Sequence, residues 1–344
     1  MRARRPLLTL LLTWAVLLLA GPGCWSARAA DNGTWSVYPT PPKDTSSPTS
    51  RAYFFHQGEP GTTIEDRVTL ANSSNRPLTF QVYATDAVNT PVGGAFALLP
   101  VESEAKDVGR WLSLPKEVTR DTVTVPPRSH KDVPFTLKVP EDASPGDHVG
   151  GIVALNTEVE GIEQQGKVKV GVKRSVGARV YVRVPGPVTA AVGVEQVRIR
   201  RGAPLLPWTQ DARATVSYTL VNRGNAVVSP RVSFRATGVF GHEVLRREAR
   251  DLPLALLPGQ RVSLTELWSD APQLDRVTLH VTVSAADHPE AGESARARFL
   301  AVPWPAVGVL MVLLGVGCGL WVLQRRRAGT VEPAAVEGEL AGTG

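Results

Sequence analysis

Apolar and polar residues alternate along most of the chain, which is the period of a half-buried β-strand, and no central segment carries the stripe of an amphipathic helix. Ile64, Val68 and Leu70 alternate with polar residues up to Asn72-Ser-Ser-Asn75, after which Leu78, Phe80, Val82 and Ala84 alternate again. This predicts a strand, a turn and a second strand with one buried face. Val133, Phe135, Leu137 and Val139 predict another strand ended by Pro140, and 149–155 and 177–184 predict two more.

The same order returns downstream. Ala214, Val216, Tyr218 and Leu220 lead into Asn222-Arg-Gly-Asn225, followed by Val232, Phe234 and Ala236. The block VPPRSHKDVPFTLKVP (125–140) is echoed by LLPGQRVSLTELWSDAP (256–272), and Val277, Leu279, Val281 and Val283 form a last predicted strand. Two copies of short strands with frequent turns predict an all-β protein of two tandem immunoglobulin-like sandwiches. Pro185-Gly-Pro187 suggests a linker, giving domains at 31–186 and 187–302. The first domain has an extra segment between Asp86 and Pro115, which serves either recognition or the covering of a sheet edge.

The ends differ in kind. Arg2, Arg4 and Arg5 precede the apolar run Leu7 to Ala20, and Ala27-Arg28-Ala29 follows; residues 1–30 read as a secretory signal peptide. Ala306 to Leu323 is an uncharged apolar run that spans about 27 Å as a helix. Trp304 and Trp321 lie near its ends and Arg325-Arg326-Arg327 follows, so 303–324 reads as a transmembrane helix and 325–344 as a cytoplasmic tail. The two cysteines, Cys24 and Cys318, fall in these terminal segments, so the exported part has no disulfide.

Charge and chemistry narrow the functions. The formal charge of +6 comes largely from arginines in the leader and tail; the remainder is near neutral and gives no support for nucleic-acid binding. No nucleophile motif, zinc-helix motif or phosphate loop occurs, and His56, His130, His148, His242, His280 and His288 stand singly. Asp147-His148 is the nearest approach to an acid–base pair, but neighbours on a strand face opposite ways. Glu141, Asp142 and Asp147 read as a solvated turn. No catalytic residue, metal or cofactor is expected. Binding candidates are Trp35, Tyr53, Phe54, Phe55 and Trp111, with a basic row of Lys167, Lys169, Lys173, Arg179 and Arg183. Phe54 and Phe55 cannot both be core in one strand.

Three blocks resemble the WxL-interacting protein family: YFFHQGEPGTTIEDRVTLANSSNRPLTFQVYATDA (53–87), WLSLPKEVTRDTVTVPP (111–127) and FTLKVPEDASPGDHVGGIVAL (135–155). The resemblance implies a non-catalytic, membrane-anchored bacterial cell-surface protein. It implies binding of peptidoglycan or an anionic wall polymer, and of a secreted surface protein with Trp-x-Leu motifs. The expected setting is the bacterial cell membrane, crossed once through 303–324, with the ectodomain outside. The alternative is a pilus-type assembly chaperone that offers an edge strand to a secreted client.

Overall fold

The computed structural model describes residues 30–31, 33–41, 51–159, 161–165, 168–202 and 212–328. The proposed signal peptide lies outside them except for its last residue, Ala30, as does the tail from 329. Contacts divide the chain into two compact units: one runs to Val88 and continues over Leu98–Pro187, and the other comprises Asn89–Ala97 and the chain from Val188. Each is built of two facing sheets, and together they form tandem immunoglobulin-like sandwiches.

In the first unit the elements are β1 (Ala30–Asp31), β2 (Trp35–Pro39), β3 (Phe54–Gln57), β4 (Thr63–Asn72), β5 (Leu78–Asn89) and β6 (Phe96–Leu98). They continue with α1 (Val108–Trp111), β7 (Leu112–Ser113), α2 (Lys116–Arg120), β8 (Val123–Val125), β9 (Ser129–Lys138) and β10 (Gly146–Asn156). The last are β11 (Gly161–Gln165), β12 (Val168–Val172) and β13 (Ser175–Val184). One sheet has the order β1-β2-β4-β9-β7 and the other β3-β13-β10-β5-β6, with β8 also on β5. The chain changes sheets early: β2 pairs antiparallel with β4, whereas β3 pairs parallel with β13. Inward residues of both sheets, among them Trp35, Phe54, Leu70, Phe80, Phe135, Leu137 and Ile152, make one core. Trp35 meets Phe80 at 4.6 Å and Phe54 meets Phe135 edge-on at 5.0 Å.

The second unit contains β14 (Val192–Gly202), β15 (Arg213–Asn222), β16 (Pro230–Thr237), β17 (Glu243–Asp251), β18 (Arg261–Trp268), β19 (Asp275–Ala285) and β20 (Glu293–Ala301). Its sheets are β14-β15-β18 and β17-β16-β19-β20. Strands β14, β17 and β20 escape the pattern reading. Each is an edge strand with Arg and Glu along it, so none shows a clean apolar period. Val277–Val283 is thus the penultimate strand and not the last.

The repeated asparagine has a structural cause. Asn72 and Asn222 end corresponding strands and are 2% and 1% exposed. The Asn72 amide Nδ2 donates to Arg76 O, Val125 O and Pro126 O, while its Oδ1 accepts from Ser74 N at 2.9 Å. Asn222 Nδ2 donates to Ala226 O at 2.7 Å and Leu256 O at 2.9 Å, and its Oδ1 accepts from Gly224 N. In both units one side chain closes the turn after its strand and ties it to the Val-Pro-Pro or Leu-Leu-Pro segment of the second repeated block.

Helix α3 (Trp304–Ala328) continues through the arginines expected to follow it. Its span Trp304–Arg326 has mean hydropathy 2.4 over its most apolar stretch, no part of which is buried, so by length and composition it is able to cross a membrane. Arg325 lies over the Trp321 ring at 4.7 Å.

Replacing Asn222 with Ala leaves buried carbonyls unpaired and is expected to lower the stability of the second unit by about 1–3 kcal/mol. Equilibrium urea denaturation of the variant and the parent measures the difference.

Candidate functional site

Strands β10 and β13 form a long hairpin that continues beyond the sandwich as β11 and β12. β10 is paired on both sides, with β13 and with β5. β13 is not. On its far side β3 pairs only with Val180–Arg183, and among the described residues no strand is hydrogen-bonded to Ser175–Ala178 there, nor to the far side of β12, although β1 and β2 pass close to β13. Arg174 O accepts from Asn156 N at 2.9 Å, and Arg183 O accepts from Gly58 N at 3.2 Å. Antiparallel ladders alternate their bonding sides, so the N–H and C=O of Ser175 and Gly177 point away from β10 towards the open edge.

The composition of this edge differs from that of β17 and β20. The open residues of β13 read Ser-Val-Gly-Ala, without charge or proline. The edges of the second unit carry arginine and glutamate, and the exposed flank of β9 carries Pro134 beyond the two residues that β7 covers. Charge and proline are the ordinary means of discouraging strand addition. They are missing where β13 is open.

The extra segment after β5 is clamped over the opposite end of the hairpin. Asp86 is buried, and its carboxylate accepts from Lys106 N (2.6 Å), Asp107 N (3.1 Å) and Gly109 N (2.7 Å). A Cβ at Gly109 would stand 2.5 Å from the Thr85 backbone, so only glycine lets α1 lie this close to β5. Leu98 covers the outer face over Gly151 and Gly177, where added Cβ atoms would meet it at 2.7 and 2.4 Å. Ser113 and Leu112 pair with β9. From Leu98 to Ser113, then, the segment covers a sheet face and an edge.

At the end of α1, Trp111 packs on His148 with ring centroids 4.6 Å apart. His148 Nδ1 is 2.8 Å from Asp107 Oδ1, and Nε2 is 2.8 Å from Ser144 O. Burial by itself lowers the imidazole, but the bonds to Asp107 and Ser144 and the charges of Asp107 and Asp147 outweigh it, holding His148 above the ordinary histidine value. Asp147 pairs instead with Arg183 at 2.6 Å, so the adjacent acid and histidine serve different partners.

The residues proposed from sequence are scattered. Trp35 and Phe54 are core, and Trp111 is buried under its histidine. Tyr53 and Phe55 are 48% and 55% exposed, and Tyr53 stacks edge-on with Tyr181 at 5.2 Å. Arg179 and Arg183 lie on the outer face of β13 and Lys173 in the break between β12 and β13, so the basic row is split between strands. Lys167 and the side chain of Lys169 fall outside the described residues. Sequence reasoning passed over Asp86 and the Asp107–His148 pair, whose spacings of 21 and 41 residues leave no local pattern.

Residues 35–155 match the family described as WxL Interacting Protein, peptidoglycan binding domain. No curated protein matches the chain. Among solved structures it is similar to the class 5 fimbriae chaperone CfaA, with 11% identity, 76% of this chain and 98% of that one covered, and a TM-score of 0.34. It is also similar to the Escherichia coli chaperone DraB (10% identity, 78% and 97% covered, TM-score 0.29) and the Pseudomonas aeruginosa CupB2 chaperone (9%, 72% and 96%, TM-score 0.30).

These findings correct the expected function. The expected reading as a membrane-anchored cell-surface protein in the bacterial cell membrane, held by 303–324, is withdrawn, since these similar structures are fimbrial chaperones and give it no support. Peptidoglycan or an anionic wall polymer, the Trp-x-Leu protein and the bilayer, expected as partners, likewise find no support in these solved structures. Physically, three of the five aromatic rings expected to meet a glycan are buried within the first unit.

Asp86→Ala removes the acceptor of three backbone amides. The loss expected in the first unit is about 3 kcal/mol or more, read by chemical denaturation, with hydrogen exchange at 106–109 rising first.

Proposed function

We propose that this protein is a non-catalytic binding module that receives an extended segment of a secreted client protein by β-strand addition, in the manner of an assembly chaperone. One observation carries the reading: among the described residues no strand is paired with Ser175–Ala178 on the side away from β10, the backbone groups of Ser175 and Gly177 point to that side, and the stretch lacks the charges that line β17 and β20. Strand addition draws affinity from main-chain hydrogen bonds and specificity from alternate side chains. The open edge offers both kinds of group, with Val176 and Ala178 directed to the core side and Ser175 and Gly177 to the outer side.

The paired face of the edge is already rigid. β10 holds β13 along its whole length, and β5 holds β10 in turn, so an incoming strand extends an ordered sheet instead of ordering a loose one. Tyr53 stands just before β3, next to the point where the open stretch begins, and it would abut the end of such a strand.

The experiment is a screen of extended peptides from secreted proteins against the full chain, with backbone hydrogen exchange read on the complex. New protection at Ser175 and Gly177 is expected. Ser175→Pro removes one outward N–H and leaves the ladder to β10 intact, so affinity should fall about tenfold or more while stability hardly changes. Binding that protects other strands, or that Ser175→Pro leaves untouched, would refute strand addition here.

A further inference from the structure

The contacts of His148 fix its charge state. A carboxylate oxygen and a backbone carbonyl oxygen both accept, and His148 presents one ring nitrogen to each. Both nitrogens must therefore carry protons, and the ring in this arrangement is an imidazolium. Trp111, tilted against it at 4.6 Å, gains from that charge, since an aromatic ring attracts a cation. Losing one proton therefore removes one of the two hydrogen bonds and, with the charge, weakens the other and the contact with Trp111.

What they join is equally specific. The segment Lys106–Trp111 is held on one side by Asp86, whose carboxylate takes the amides of Lys106, Asp107 and Gly109. On the other side, among the described residues, the side-chain tie across to the 140–144 turn runs through His148 alone: Asp107 to the ring, and the ring to Ser144 O. Between segment and turn lies a groove of about 620 Å³ lined by Lys106, Arg110, Lys138, Glu141 and Asp142 as well as the latch itself.

We propose that His148 is a pH-operated latch: its protonated ring clips Lys106–Trp111 to the Pro140–Ser144 turn, and loss of the proton frees the segment and widens the groove. The charges around the ring bear on this from every side. Asp107 on the segment and Asp147 on the histidine's own strand favour the charged ring, although Asp147 is engaged by Arg183. Lys106 and Arg110 on the segment and Lys138 at the end of β9 oppose it, while Glu141 and Asp142 in the turn support it. A group held above its unfolded value stabilises fully below about pH 6.5, and that contribution disappears as pH rises through the folded value. The latch is closed in mild acid and opens towards alkaline pH. It lies at the Val182 end of the hairpin, whereas the open edge lies at the Leu155–Ser175 end, so neither reading depends on the other.

The test uses the full chain and His148→Gln at about pH 6 and about pH 8.5, conditions that bracket an ordinary or moderately raised histidine. Hydrogen exchange at 106–111 is normalised to intrinsic rates, and trypsin cleavage after Lys106 and Arg110 is referenced to an unstructured peptide. In the parent, protection should fall about tenfold for each unit by which the folded value exceeds the unfolded one. In His148→Gln it should be low at both pH values. A parent with equal protection at both, or a pH dependence that persists in His148→Gln, would overturn the latch. Should the variant fail to fold, proton NMR of the parent decides alone: a His148 ring that is neutral at pH 6 is incompatible with the proposal.

Discussion

A buried asparagine at the end of the second long strand organises each half of this protein. Its side-chain amide cannot be left unpaired in the core, so the turn that follows, and the proline-bearing segment that precedes the next strand of the same sheet, must come to it. That single requirement sets where β4 and β15 stop, how their turns close, and where β9 and β18 begin. The facing sheets then have little choice: strands of fixed register present alternating side chains to one core, and Phe80 and Phe234 occupy matching places in it.

With the frame set, the first unit departs from the second by what is added to it. The segment from Leu98 to Ser113 lies over one face and one edge, and it is fastened by Asp86, by the glycines that admit it and by His148. The hairpin of β10 and β13 runs on beyond the sandwich, leaving an uncharged stretch of β13 without a paired strand among the described residues. One addition closes surface and the other leaves an edge exposed. The edge strands described in the second unit carry arginine and glutamate instead.

The first expectation of function was drawn to aromatic rings and cations near one another in sequence. Folding separates them. Alternation sends Phe54 into the core and Phe55 outward, Trp35 pairs with Phe80, and Trp111 is capped by an imidazolium. Residues that suggested a glycan surface are largely packing, and the feature that supports a partner is a run of backbone groups, which composition does not display.

By itself the sequence determined the all-β architecture, the twofold repeat, many of the longer strands and the apolar helix, because period and turn chemistry are local and each residue's facing follows from its neighbours. It also marked Asn72 and Asn222 by repetition, without their role. Only the tertiary structure decided which edge stays open, that Asp86 gathers three amides from 20 to 23 residues away, and that Asp107 meets His148. Pairing between distant strands and the capture of buried polar groups are set by long-range geometry, to which no local period corresponds.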